Sequence, residues 1–295
     1  MNQKITFGLV VLALLMELMW GVSFISTKYL LLAGLNASQI YIIRFGIAYC
    51  CMLAVSRKNF GITNWHDELL FLFCGLTGGS LYFITENAAL NHTLVSNVGL
   101  IVTISPLLTA LLSAVVMRKE RISRALVIGS VTAFIGVAFV IYNSSFQIRI
   151  SPLGDLLSLL AALSWAIYSV ALLFVKTHRY STIVVTRKVF FYGIVTSIPF
   201  AFMLHSDISA SVFSDGWVLF NLVFLGLGAS MSAFLIWNWL VKCIGAVKSS
   251  NFLYLGPIIT LAASAIMLGE RVTVIGYIGC VLILGGVILG EKLRF

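Results

Sequence analysis

Glu17 sits near the middle of an apolar run spanning residues 7–32, where a charged side chain costs about 2.5–3.5 kcal/mol on membrane-insertion scales. A carboxyl at that depth can exchange a proton or balance the ammonium group of a bound solute. Its structural alternative is a neutral carboxyl hydrogen-bonded between helices. Trp20, Gly21, Phe24 and Lys28 follow at roughly helical spacing on the same face, with Lys28 too far along to pair with Glu17. Glu86 has Tyr82 one turn before it and Asn87 beside it. It lies near the end of its apolar run, a place suited to gating or selecting a solute and easily hydrated. Trp165, Tyr168, Trp237, Trp239 and Tyr254 offer rings for the wall of a cavity, or serve as packing and interfacial anchors. Asn97, Asn238 and Asn251 offer amides that face a cavity or bridge helices. Pro106 and Pro257 each remove one backbone hydrogen bond within a run, which bends a helix, frees carbonyls and makes them candidate hinges.

The elements that position these residues follow from composition. Of the 295 residues, 60% are hydrophobic and 10% charged, against roughly 45–50% and 25% in soluble domains. Such a chain is an integral membrane protein. Lipid offers no partner for backbone N–H and C=O groups, so its spans are helices. A β-barrel is excluded because the runs are continuously apolar and do not alternate. Runs broken by polar, glycine or proline clusters predict ten helices, at 7–32, 39–55, 69–90, 94–117, 125–142, 153–175, 182–204, 217–240, 246–268 and 272–289. The polar stretches 56–68 and 205–216 are too short for a separate domain, which needs about 50 residues. The first run is too long for a signal-peptide core and is expected to remain as a span. The net charge of +9 reads as topology, with no role for nucleic acid. With a cytoplasmic N-terminus, Lys4, Arg57, Lys58, Arg118, Lys119, Arg121, Arg124, Lys176, Arg179, Lys242, Lys292 and Arg294 fall inside, and Arg149 and Arg271 outside. Both termini are thereby expected in the cytoplasm. Lys28, Arg44, Arg187, Lys188 and Lys248 lie within spans, mostly close enough to an end to snorkel. The five cysteines show no metal-ligand spacing and read as buried thiols.

The two halves, 1–145 and 146–295, repeat one another. Trp20-Gly21 matches Trp165-Ala166, and Gly75-Leu76 matches Gly226-Leu227. Pro106-Leu107-Leu108-Thr109 matches Pro257-Ile258-Ile259-Thr260, and each is followed by a Glu-Arg pair, Glu120-Arg121 or Glu270-Arg271, expected to fix a helix end. Five spans per half is an odd number, so the halves are inverted across the membrane. The charges agree, since Arg118-Lys119 before the first pair becomes Leu268-Gly269 before the second. Inverted repeats put a binding site near the midplane and suit alternating access. Gly75 with Gly79 and Gly286 with Gly290 are expected to let helices approach closely. Ser151-Pro152-Leu153-Gly154-Asp155 reads as a capped helix start.

Trp20-Gly21-Val22-Ser23-Phe24 with Lys28, Arg44-Phe45, the Pro106-to-Glu120-Arg121 run and its second copy resemble the EamA-type transporters of the drug/metabolite transporter superfamily, over essentially the whole chain. The resemblance implies a ten-helix permease that exports small metabolites or drugs from a central cavity lined by both halves, and it adds Ser23 to the candidate solute-binding residues. Ala166 and Tyr168 depart from the pattern, so the halves need not contribute equally. The expected partners are a small solute, the lipid bilayer and protons as a coupling ion, with no cofactor and no metal, in a bacterial cytoplasmic membrane. Amino acids, nucleosides and amphipathic cations all suit the candidate residues. No Gly-x4-Gly-Lys-Ser/Thr motif supports an ATP-driven pump. An intramembrane enzyme would need a nucleophile and base at depth, yet all four histidines fall at loops or span ends. A channel or scaffold remains the other alternative, against which the inverted repeat argues.

Overall fold

The structure, a computed structural model, describes residues 6–58, 61–62, 64–90, 92–93, 95–117, 124–144, 151–176, 179–203, 210–259, 261–262 and 272–292. Among these residues there is no strand. The chain opens with α1 (Phe7–Leu32) and α2 (Ala37–Val55). Next comes a rod made of α3 (Trp65–Gly75), a π-helical segment (Leu76–Leu81) and α4 (Tyr82–Leu90). α5 (Val95–Val102), α6 (Ser105–Met117) and α7 (Arg124–Ser144) follow, then α8 (Pro152–Ala171) and α9 (Thr182–Met203). A second rod joins α10 (Gly216–Val223), a π-helical segment (Phe224–Ser232) and α11 (Ala233–Ile244). α12 (Ala246–Asn251), a 3-10 turn (Phe252–Leu255) and α13 (Val274–Lys292) follow, and further 3-10 turns lie at Leu172–Phe174 and Ala210–Ser214. Among the described residues, seven helices are long and apolar enough to cross a membrane, and two shorter ones, Arg124–Val140 and Val274–Gly290, are also apolar.

Local chemistry sets the ends. Asn36 caps α2 in a reciprocal pair with Gln39: each backbone N–H donates to the other's side-chain oxygen at 2.8 Å. Ser151 caps α8 with Pro152 in its first turn, as expected. Gly245, at φ +86°, stops α11 and starts α12 in a conformation that other residues rarely adopt. Along α1, Leu14, Leu15 and Leu18 are exposed, whereas Ala13, Met16 and Glu17 are buried. The leucines therefore face outward and the carboxyl faces the bundle.

Pro106 and Pro257 do more than bend a helix. Thr103 and Ile104 separate α5 from α6, and Pro106 is the second residue of the new helix. Residues 256–259 are helical after the Phe252–Leu255 turn, so Pro257 is again second. Proline is tolerated in a first turn because the N–H it lacks has no partner there anyway. The Glu120-Arg121 and Glu270-Arg271 pairs lie outside the described residues.

Packing interleaves early and late helices. α1 meets α11 and the second π segment; α2 meets that segment and α9; α3 and α4 meet α9 and α8; α5 and α6 meet α8; α12 meets α6. α7 and α13 run against each other, with Gly129 and Gly136 facing Gly286 and Gly279. A Cβ on Gly136 would stand 2.7 Å from the Gly279 carbonyl oxygen. Gly75 packs as tightly on Gly193. All five cysteines are free, but only Cys74 is buried and Cys50 is exposed, which corrects the expectation of uniformly buried thiols.

At the start of α3, Asp67 pairs with Lys176 at 3.2 Å and Arg179 at 3.1 Å, and accepts from the Tyr180 hydroxyl at 3.0 Å. Glu68 pairs with Lys188 and accepts from the Tyr192 hydroxyl at 2.7 Å. Arg187 donates to the Ser56 carbonyl and, at 2.7 Å, to that of Lys58. Arg187 and Lys188 are thus buried in a polar lock between chain segments rather than reaching out to the interface. Removing one partner strands the other in a dry place. Glu68→Ala is expected to lower stability by about 3–5 kcal/mol, read as earlier thermal unfolding of the detergent-solubilised protein. Gly286→Leu is expected to cost about 1–3 kcal/mol by overpacking, while Gly285→Leu, with open space beside it, leaves the transition in place.

Candidate functional site

Trp20 projects from α1 to the middle of an aromatic cluster. Its indole N–H donates to the Ala229 carbonyl at 3.0 Å, in the second π segment, which fixes the ring. Trp165 from α8 stands nearly perpendicular to it at a centroid distance of 5.3 Å. Trp237 and Phe234 from α11 each lie 5.9 Å from Trp20, and Trp165 is 5.2 Å from both Trp237 and Tyr82. Phe234 carries the cluster on to Phe45 at 5.7 Å and Phe190 at 5.1 Å. Edge-to-face contacts of this kind contribute about 0.5–1.5 kcal/mol each beyond burial, and their faces suit aliphatic, aromatic or cationic groups.

Glu17, one turn before Trp20, is 3% exposed, and its Oε1 has no hydrogen-bond partner. Its other oxygen lies against Gly256, where a Cβ would come within 3.0 Å of it. The carboxyl thus abuts the interrupted backbone before Pro257. The indole N–H groups of Trp165 and Trp237 are also buried without partners. Leaving such a group unmatched costs about 1–3 kcal/mol, so this cluster concentrates polar capacity that the fold itself does not use.

Glu86 is 5% exposed and accepts from the Tyr82 hydroxyl at 2.7 Å, which corrects its expected place at a hydrated rim. Arg44 is buried too, although its position in the run suggested snorkelling. Its Nε donates to the Ser230 hydroxyl at 2.8 Å, and its guanidinium lies 5.0 Å from the Phe83 centroid. On the other flank, the Tyr168 hydroxyl donates to Asn238 at 2.6 Å, and Asn238 donates to Thr186 at 2.8 Å.

Most of the expected residues therefore converge: Glu17, Trp20, Tyr82, Glu86, Trp165, Tyr168, Trp237 and Asn238 lie around one core. Ser23 turns back to the Trp20 carbonyl at 2.7 Å. Tyr254 packs in a separate core with Val137 and Ile283, and Trp239 is exposed. Asn251 is buried with its amide nitrogen unpartnered. Asn97 is helical, but its side chain lies outside what the structure describes. Sequence reasoning missed Phe83, Phe190 and Phe234, which nothing distinguishes from other membrane phenylalanines, and used Phe45 only as part of the resemblance. It also passed over Arg44, although an ionisable group in a span is by itself a signal. No group of three or more potential metal ligands occurs among the described residues.

Comparison with known proteins bears on the fold and the family. A crystal structure of another protein superposes with a TM-score of 0.77, covering 97% of each chain at 21% identity, and shares the fold. An uncharacterized transporter of Bacillus subtilis, YyaM, is 31% identical over 83% of this chain and 81% of its own. A probable amino-acid metabolite efflux pump of Escherichia coli is 26% identical, with 94% of this chain and 92% of that protein covered. A probable terminal-alkyne amino-acid exporter of Streptantibioticus cattleyicolor is 27% identical, over 87% and 83%. The model of the EamA-like transporter family matches residues 8–142 and again residues 152–290. With most of its length accounted for by that match, the chain belongs to the EamA-like transporter family and is a multi-pass membrane protein.

Proposed function

We propose that this protein is a secondary permease that exports amino acids or close metabolites across a bacterial cytoplasmic membrane, by alternating access of two inverted five-helix halves, 1–145 and 146–295. The contact between Trp20 and Trp165, beside the unpartnered oxygen of Glu17, carries the reading. These tryptophans are equivalent in the two repeats, and their contact sets the candidate site on the seam between them. The names of the relatives in Escherichia coli and Streptantibioticus cattleyicolor support the substrate class.

Three observations support the repeat. The family model matches twice. Equivalent positions carry the same irregularities, a π segment after Gly75 and around Gly226, and a helix restarted at Pro106 and at Pro257. Packing is also preserved when the halves are exchanged: α1 against the second rod mirrors α8 against the first, and α7 pairs with its counterpart α13. On this reading the two shorter apolar helices and the segment from Ala246 join the seven long helices as spans, ten in all. The basic residues near Asp67 and Glu68 support a cytoplasmic setting for that end and for both termini.

In this mechanism the halves rock about the aromatic cluster. Glu17 takes the solute ammonium group or a proton, the tryptophan rings receive the side chain, and a gradient of solute or protons supplies the energy. Counterflow into proteoliposomes loaded with pooled amino acids, nucleosides or cationic drugs tests the function. Saturable accumulation with the amino-acid pool is expected; accumulation only with another pool, or with none in folded protein, overturns the substrate class. Glu17→Gln is expected to fold normally and to alter the pH profile of transport or its preference for cationic solutes by about tenfold, equivalent to about 1.4 kcal/mol. Transport unchanged across pH and solute charge removes Glu17 from the mechanism.

A further inference from the structure

Arg44 lies seven residues into α2, about 10 Å along the helix axis, and is 4% exposed. A guanidinium stays charged in proteins, so its surroundings must accommodate a permanent cation. They do so incompletely. Nε is held by the Ser230 hydroxyl at 2.8 Å, and the rings of Phe83 and Phe45 lie 5.0 and 5.6 Å from the guanidinium carbon. Among the described residues no carboxylate comes within 4.0 Å of it. One Glu86 oxygen is already bound to Tyr82. A neutral hydrogen bond and two aromatic faces offset only part of what dehydrating a cation costs.

What fits the remaining capacity is a planar anion. With Nε engaged by Ser230, the two terminal nitrogens form an end-on fork, and that fork matches the two oxygens of a carboxylate. The second π segment orients it, since the same segment carries Ser230 and the Ala229 carbonyl that fixes Trp20. Phe83 links the guanidinium to the cluster, 4.9 Å from Tyr82, which is itself 5.2 Å from Trp165. We infer that Arg44 binds the carboxylate of the transported solute, so that the protein selects α-amino acids over their amides and their decarboxylated amines, with Ser230 as the positioning residue. The inference rests on the amino-acid reading above and deepens it.

Binding to the full chain in detergent, read as ligand-induced thermal stabilisation, tests this without requiring turnover. The probes are phenylalanine, phenylalaninamide and 2-phenylethylamine. The wild-type protein is expected to bind the acid at least about tenfold more tightly than the amide, a difference of about 1.4 kcal/mol. Arg44→Gln is expected to erase that preference by weakening the acid while leaving the amide unchanged. Arg44→Lys and Ser230→Ala keep a cation in place and are expected to reduce the preference partially, which covers the case in which Arg44→Gln fails to fold. Undiminished preference for the acid in the folded variants overturns the assignment, as does a wild-type protein indifferent between acid and amide. Wild-type protein that binds none of the three but is stabilised by a nucleoside or a cationic drug overturns the amino-acid reading itself, and the assignment with it.

Discussion

In a hydrocarbon environment every backbone carbonyl and N–H must find its partner within the protein, and this chain meets that constraint by satisfying irregular backbone in one part with side chains from another. A π segment misaligns its carbonyls and frees some of them. The Thr77 carbonyl in the first segment accepts from the Ser164 hydroxyl of α8 at 2.7 Å, and the Ala229 carbonyl in the second accepts from Trp20 of α1. The Ser80 and Thr196 hydroxyls pair at 2.8 Å in the same way. The break before Pro106 is covered locally instead: the Ser105 hydroxyl donates to the Val102 carbonyl at 2.6 Å and the Thr109 hydroxyl to the Ser105 carbonyl at 2.8 Å. The two π segments are therefore the irregular positions that join distant parts of the chain, and the candidate site is built beside them.

This explains which parts of the molecule were legible in the sequence. Apolar run length marked the helices well, and α1 spans the same residues as its run. Cap chemistry at Ser151 and Pro152 was legible because it is local. The π segments were not, since a π turn adds one residue without changing hydropathy; Gly78 and Gly79, or Gly226 and Gly228, were the available hints. Bends were expected at the prolines and breaks occur; at Pro106 nearby hydroxyls cover carbonyls that the break exposes.

The site was legible in part for the same reason. Glu17 and the Trp20–Trp165 pair stand out through depth and repetition, both visible along one strand of text. The burial of Arg44, Glu86, Arg187 and Lys188 depends on what lies across the bundle, and distance from a helix end carries no information about that. The two ends of the bundle also differ. Where α2 leads to α3, two acids hold three cations and two tyrosines; where α1 leads to α2, the described cross-link is a 3.0 Å hydrogen bond from Tyr29 to Asp215.

The glycine-lined contact between α7 and α13 has a consequence for biogenesis. α7 leaves the ribosome well before α13, yet the glycine surface of α7 is shaped for a helix that is synthesised after every other described element. Until residues 274–292 have entered the bilayer, the notches at Gly129 and Gly136 face lipid chains that fill them poorly. α13, made after the other described helices, thus closes its contact with α7 late, like a keystone.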